Sequence, residues 1–111
     1  MRLMKETGKI VIFITTRSES EAHKIARLLL EHKMAACINI VPTVDSSYWW
    51  QGSLESAHES LLIIKTKSSQ LNQIIEVVKG QHGYEVPEII AMPIIGGNAD
   101  YLKWIDSEVK D

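Results

Sequence analysis

The order of strand-forming and helix-forming segments constrains the fold of this chain more than any other sequence feature. The run Lys9 to Thr15 is a continuous β-branched and aromatic segment that is apolar on both faces, as in a central strand covered on both sides. An amphipathic helix, two strands, a second amphipathic helix and a fourth strand follow it, and a last helical segment comes near the end. The predicted order is therefore βαββαβ plus a C-terminal helix.

The helical segments are predicted from apolar residues that recur on one helix face. In the first segment these are Ala22, Ile25, Ala26 and Leu29, and in the second they are Leu71, Ile74, Ile75 and Val78. Ser18 and Glu21 have the spacing of a capping box, which predicts where the first helix begins. The last helix is predicted to begin at Asn98 or Asp100 and to carry Leu102, Ile105 and Val109.

The two middle strands are predicted to form a long hairpin. From Ala36 the sequence has period two until Pro42, which cannot donate a ladder hydrogen bond and indicates an edge strand or a bulge. The chain then runs through Tyr48-Trp49-Trp50, turns at Gln51-Gly52-Ser53 and returns to the strand 60–67. This aromatic outer half exceeds what a small single-layer sheet needs, so we expect it to pack against another subunit.

The junction between the second helix and the fourth strand groups polar and aromatic residues within 82–88. Gly83 suits a left-handed position just past a helix end, and Pro87 favours extended backbone at the entrance to a strand, which we expect to be central in the sheet. A loop here would present four side chains together, those of His82, Tyr84, Glu85 and Glu88. This makes the junction a candidate site.

The element order matches the ferredoxin-like α+β sandwich, in which right-handed crossovers place both helices on one face of an antiparallel sheet. In a monomer the other face would be exposed to water, although its strands are apolar. We therefore expect the subunits to associate and bury that face.

Composition indicates a single domain over residues 1–111, with residues 1–8 as a frayed lead-in. The net charge of −2 gives no electrostatic case for nucleic acid or for an acidic membrane surface, and no segment is long enough to span a bilayer. Cys37 is the single cysteine, which agrees with a reducing compartment, and the first residues lack the apolar core of a signal peptide. These features predict a cytoplasmic protein.

Enzyme chemistry has little support in the sequence. Cys37 lies among apolar strand residues, where a thiol is more often structural than nucleophilic. Arg17 and Asn39 are similar to the phosphate-binding and water-binding pair of small ferredoxin-like acyl-phosphate hydrolases, but no Gly-rich anion loop surrounds Arg17. We expect a non-enzymatic protein without an organic cofactor.

Each of the four histidines is a possible metal ligand. His23 and His32 are nine residues apart on one helix, which is not the spacing that puts two imidazoles on one metal. His58 lies in the hairpin, where a solvated cross-strand contact is expected. His82 is the best candidate, since a nearby carboxylate could fix its tautomer, although a helix C-terminus also favours an imidazolium without metal.

Several motifs together resemble the divalent-cation tolerance family, CutA. The matching segments are residues 35–40 (AACINI), 48–52 (YWWQG), 62–66 (LIIKT), 82–91 (HGYEVPEIIA) and 101–105 (YLKWI). They occur in the family's order and cover nearly the whole chain from about Lys9. The resemblance implies a ferredoxin-like subunit in a homotrimer like those of the PII signalling proteins, with long hairpins that join sheets between subunits.

The resemblance also implies a function in divalent-cation, especially copper, tolerance. His82 is the position that matches a metal-linked residue, and Cys37 is a second, more remote metal candidate. The chain departs from the family pattern at Gly83, where proline is common, and at Gln81, where a second histidine sometimes occurs.

A second implied site is a cleft between subunits that binds a small anion or metabolite. Its candidate residues are Trp50, Glu59, Lys65 and Tyr84, with Lys65 supplying charge and Trp50 a stacking face. In the competing interpretation Lys65 pairs with Glu59 across the hairpin and the aromatic residues seal the interface. The sequence thus leaves two functions: weak copper binding through His82, or PII-like signalling or scaffolding through a cleft ligand and a protein partner.

Overall fold

A computed structural model describes residues 7–111, which form four strands and three α-helices. The strands are β1 (Lys9–Thr16), β2 (Cys37–Trp50), β3 (Ser53–Lys67) and β4 (Ile89–Pro93). The helices are α1 (Glu19–Glu31), α2 (Leu71–Gln81), which follows a 3₁₀ turn at Ser68–Gln70, and α3 (Ala99–Glu108). The predicted order of elements is confirmed. Of the expected frayed lead-in, residues 1–6 lie outside the described part, and Thr7 Oγ1 donates to the carbonyl of Ile94 at 2.6 Å.

All the strand pairs in the sheet are antiparallel, and the strand order is β2-β3-β1-β4. This is the ferredoxin-like arrangement, because the crossovers through α1 and α2 interleave the two halves of the chain. β1 lies between β3 and β4, as predicted for a central strand. The prediction that the strand after Pro87 is central was wrong: within residues 7–111, β4 pairs with β1 alone and forms one edge of the sheet. Its apolar character therefore does not come from burial between strands of its own chain.

The long hairpin is present and ends in a tight turn. Gln51 and Gly52 have φ values of 49° and 85°, as expected for the two central residues of a type I′ turn. The pairing register shifts between Val41 and Val44, so Pro42 lies in a bulge of an edge strand as predicted. Ser60 Oγ donates to the carbonyl of Pro42 at 2.6 Å and holds the bulge against β3.

One face of the sheet carries the main core. Period-two alternation turns Ile12, Ile14, Leu62 and Ile64 toward α1 and α2, where they are fully buried with Ile25, Leu29, Ile74 and Val78. The opposite face, here called the open face, carries Val11, Phe13, Leu61, Ile63, Ile90 and Met92. Ile90 is 53% and Met92 47% exposed in the single chain. The open face is therefore apolar and only partly covered.

α3 covers one end of the open face. Asn98 caps this helix by accepting a hydrogen bond from the Asp100 N–H, as predicted. Ile105 is fully buried, and Lys9 Nζ lies 2.7 Å from Asp106 Oδ2. The other end of the open face lies near the loop that follows α2.

Candidate functional site

Glu59 and Tyr84 form the polar centre of one end of the open face. The Glu59 side chain is buried, at 7% exposure, although it is a carboxylate on a strand near the base of the hairpin. The Tyr84 hydroxyl donates to it. Burial, followed by the hydrogen bond and the negative charge of Glu59, raises the pKa of Tyr84 to about 12. The phenol therefore remains a hydrogen-bond donor throughout the physiological pH range.

His82 lies beside Tyr84, and both of its ring nitrogens are hydrogen-bonded to backbone. Nε2 lies 2.7 Å from the carbonyl of Thr15, so it must carry the proton. Nδ1 accepts from the Tyr84 N–H at 3.0 Å, and the two rings lie 5.1 Å apart. A metal ion could reach the Nδ1 lone pair only by replacing the Tyr84 N–H.

Gly83 lies between these residues and packs tightly against α1. Its φ is not positive, so the predicted left-handed conformation was wrong. The glycine is needed for close approach: an added Cβ would lie 2.5 Å from Arg17 Nη2 and 2.8 Å from Glu21 Oε2. The Gly83 N–H donates to the same Glu21 oxygen at 2.7 Å. The loop after α2 is therefore attached to the start of α1.

Lys65 lies at the other end of the open face, under α3. Its ammonium donates to Asn39 Oδ1, and Cys37 lies directly across from it on β2. Cys37 Sγ is 4.0 Å from Asn39 Oδ1 and shares a hydrogen bond with Tyr101 of α3. Burial, and then Cys37, raise the pKa of the Tyr101 phenol. This end of the open face is held together by contacts among its own residues.

The four predicted cleft residues are not brought together within one chain. Glu59 and Tyr84 are in contact, but Lys65 lies six residues from Glu59 on the same strand, about 20 Å away. Trp50 pairs with Ser53 beside the turn, which is six residues from Glu59 in the other direction. The interpretation that Lys65 pairs with Glu59 was wrong, because residues this far apart on a strand cannot meet.

The remaining metal and hydrolase candidates are separated from one another. His23 contacts Glu19 at 3.4 Å, and His32 Nδ1 donates to the carbonyl of Leu28. The expected solvated cross-strand contact of His58 is present, with Asp45 as its partner at 2.6 Å. Within residues 7–111 no three His, Cys, Asp or Glu side chains are grouped to hold a metal. Asn39 is held by Lys65 at the far end from Arg17, so the hydrolase pair is not assembled.

Two open grooves lie on the helical side of the molecule, away from the Glu59 and Lys65 ends of the open face. One, of about 480 Å³, lies between α1 and α2 near Met34 and Val77. The other, of about 700 Å³, lies between α1 and β2 near Leu30 and Ile38. His32 lines the first groove and His23 the second, and neither groove is lined by His82, Cys37 or any of the four predicted cleft residues.

Glu21 and Thr15 are parts of the candidate site that the sequence did not indicate. Ser18 accepts from the Glu21 N–H at 3.1 Å, as a capping box requires, but the Glu21 carboxylate does not complete the box. It accepts from the Arg17 N–H at 3.0 Å and from Gly83 instead. The cap spacing was the only signal for Glu21, and Thr15 contributes a backbone carbonyl that no side-chain pattern could reveal.

These observations define a class of protein: a ferredoxin-like subunit with a projecting hairpin, an apolar open face and a polar loop at one end of that face. In the described part of the chain no helix has the length and apolarity needed to cross a bilayer.

Residues 10–108 match the family model described as CutA1 divalent ion tolerance protein, and the chain belongs to that family. It is 43% identical over 102 residues to a chloroplastic CutA 1 protein of Oryza sativa subsp. japonica, covering 92% of this chain and 58% of that relative. It is 46% identical over 95 residues to the divalent-cation tolerance protein CutA of Thermus thermophilus, covering 86% of this chain and 92% of the relative.

A solved structure gives the same fold. The crystal structure of CutA1 from the psychrotrophic bacterium Shewanella sp. SIB1 matches with a TM-score of 0.91 at 37% identity, covering 96% of this chain and 100% of the other. The predicted family and the predicted ferredoxin-like fold are thus confirmed. The chain spans about three-fifths of the length of the plant relative.

Proposed function

We propose that this chain is a non-enzymatic, cytoplasmic, homotrimeric protein of divalent-cation tolerance that binds copper weakly at the Glu59 end of its open face. Support for the cation relation comes from the family and from relatives named as divalent-cation tolerance proteins. The observation that carries the location is that Tyr84 contacts both the buried Glu59 carboxylate and the metal candidate His82.

Three uncovered features of the single chain support the proposed self-association. The open face exposes large apolar side chains, and β2 and β4 each have one free edge. Trp49 and Leu54 at the hairpin tip are 73% and 65% exposed. The radius of gyration is 14.9 Å, against about 13 Å expected for a compact domain of this length, because the hairpin projects. A head-to-tail contact that closes as a ring buries all three features, and the family resemblance favours three subunits.

The hydrogen bonds of the His82 ring support weak rather than tight metal binding. Cu²⁺ accepts imidazole nitrogen and carboxylate oxygen as ligands. Nδ1 of His82 carries the available lone pair, and Tyr84 contacts both His82 and Glu59. The metal must replace the Tyr84 N–H at Nδ1, so part of its binding free energy is offset by a lost hydrogen bond.

Titration calorimetry with Cu(II) tests this proposal. We expect wild-type protein to bind and both His82→Ala and Glu59→Gln to lose at least tenfold in affinity. His58→Ala is the matched control, because His58 is an exposed histidine that contacts a carboxylate outside the site. Equal affinity in wild type and His82→Ala would show that His82 does not bind the metal. The trimer has a separate test: light scattering that finds a stable monomer at micromolar concentration would refute it.

A second candidate function is PII-like signalling or scaffolding through a small anion at Lys65. The observation that favours it is a half-buried ammonium that contacts no carboxylate within residues 7–111. A screen of anionic metabolites by thermal melting would detect this function as a stabilising shift that disappears in Lys65→Ala. A shift that persists in Lys65→Ala would place the ligand elsewhere.

A further inference from the structure

The carboxylate of Glu21 joins two loops that come from distant parts of the sequence. Oε1 accepts from the Arg17 N–H at 3.0 Å in the loop between β1 and α1, and Oε2 accepts from the Gly83 N–H at 2.7 Å in the loop between α2 and β4. Charge-assisted hydrogen bonds of this kind are roughly twice as strong as neutral ones. We call this pair of contacts the Glu21 bridge.

From Gly83 the connection continues to the candidate site. His82 precedes Gly83 and bonds to Thr15, and Tyr84 follows Gly83 and donates its N–H to His82 and its hydroxyl to Glu59. These three loop residues are therefore held by contacts with β1, α1 and β3. No helix or strand of the loop's own fixes it, since residues 82–88 have no regular secondary structure.

We propose that Glu21 is the positioning residue of the candidate site: its bridge fixes the loop so that the Tyr84 hydroxyl meets Glu59 and the Tyr84 N–H meets Nδ1 of His82. The assignment of a site here rests on the proposed function, but the positioning role does not. An ordinary helix-capping role does not account for the geometry, because the carboxylate bonds to Arg17 and Gly83 rather than to the N–H of its own cap residue, Ser18.

The lack of a side chain at Gly83 leaves room for the Glu21 bridge. An added Cβ would lie 2.8 Å from Glu21 Oε2, which the Gly83 N–H itself holds in place. The Arg17 guanidinium, at 2.5 Å, is the end of a flexible chain and can swing away. Gly83→Ala therefore displaces the bridge without changing any charge.

Two measurements on Glu21→Gln test the proposal: amide hydrogen exchange and the ring nitrogen shifts of His82. The variant keeps one acceptor oxygen but loses the second and the charge. We expect exchange of the Tyr84 N–H to accelerate on the order of tenfold, although that N–H does not touch Glu21. The His82 Nδ1 resonance should move as its donor is lost. Gly83→Ala should give the same two effects with the charge intact.

The matched controls are Glu19→Gln and Gly80→Ala. Glu19 is an acid in the same first turn whose carboxylate contacts His23, and a Cβ at Gly80 meets nothing within 4 Å. Both should leave the Tyr84 exchange rate and the His82 shifts unchanged. The proposal is overturned if Glu21→Gln accelerates exchange at Gly83 alone, or if its effects on Tyr84 and His82 equal those of Glu19→Gln.

Copper titration of Glu21→Gln separates this proposal from the function on which the site rests. If wild type binds Cu(II), the variant should bind it more tightly than Glu19→Gln does, because the Tyr84 N–H that competes for Nδ1 of His82 is no longer held there. If wild type binds no Cu(II) but Tyr84 and His82 respond as expected, the metal function fails and the positioning role stands.

Discussion

The two ends of the open face both carry polar groups on or near β3 but differ in how those groups are held. At the Lys65 end, the ammonium, the Asn39 amide, the Cys37 thiol and the Tyr101 hydroxyl contact one another beneath a helix. At the Glu59 end, a buried carboxylate has a tyrosine hydroxyl as donor, and that tyrosine comes from a loop without regular structure. The first end is closed by a helix, whereas the second depends on hydrogen bonds between loops.

This difference indicates which end opens to a ligand at the lower free-energy cost. Opening the Lys65 end requires α3 to move, and its Ile105 is fully buried. At the Glu59 end a ligand needs only to replace single hydrogen bonds, such as that between the Tyr84 N–H and His82. Regions held by few apolar contacts open at lower free energy than core elements. This difference favours the Glu59 end as the location of the proposed copper binding.

The largest expected effect is on the free energy of unfolding, when one tyrosine hydroxyl is removed at each end. Tyr84→Phe leaves the buried Glu59 carboxylate without its donor and should lower the free energy of unfolding by about 1–3 kcal/mol. Tyr101→Phe, at a residue that is 41% exposed, should cost no more than about 0.5 kcal/mol. Urea denaturation of both variants measures the difference, and equal losses would mean that the two ends are equivalent.

The next effect is a pH dependence of stability that Tyr84 contributes at the Glu59 end. A pKa of about 12 in the folded state against 10 in the unfolded state means that the neutral phenol of Tyr84 is favoured by folding. Its contribution is complete below pH 10 and is lost between pH 10 and 12. The stability difference between wild type and Tyr84→Phe should therefore shrink across that window.

Glu59→Gln provides the control for this titration. It removes the charge while burial of Tyr84 remains, so the Tyr84 pKa, followed by ultraviolet absorbance, should fall but stay above 10. An unchanged pKa in Glu59→Gln would contradict the contact.

The smallest expected effect is at Lys65. Lys65→Met keeps the length of the side chain and removes an ammonium whose described partner is a neutral amide. The free energy of unfolding should change by less than about 1 kcal/mol. A loss above 2 kcal/mol by urea denaturation would show that the Lys65 end depends on its charge more than the geometry implies.

The sequence predicted the architecture well because apolar residues recur with period two in the strands and at helical spacing in the helices. Apolar alternation placed Ile38 on β2, Pro42 marked its bulge, and Gly52 marked the turn of the hairpin. Edge position could not be predicted for β4, since an apolar strand looks the same whether its own chain or a partner covers it. That ambiguity produced the error about a central strand after Pro87.

The candidate site was predicted only in part, because it depends on contacts between distant segments. His82 and Tyr84 were identified from their loop, but nothing local shows that Gly83 adjoins Arg17 and Glu21, more than sixty residues away. The predicted pairing of Lys65 with Glu59 failed because their charges suggested an ion pair, whereas the extended strand separates the two residues by about 20 Å.

The most direct test of copper binding at the Glu59 end is to map Cu(II) on the wild-type protein by paramagnetic broadening of ¹⁵N-resolved amide signals. At substoichiometric Cu(II), we expect the signals of Thr15, Glu59, His82, Gly83 and Tyr84 to broaden first, while those of Cys37, Asn39 and Lys65 keep their intensity. Broadening that begins at Cys37 and Lys65, or no selective broadening at all, would contradict a metal-binding role for the Glu59 end.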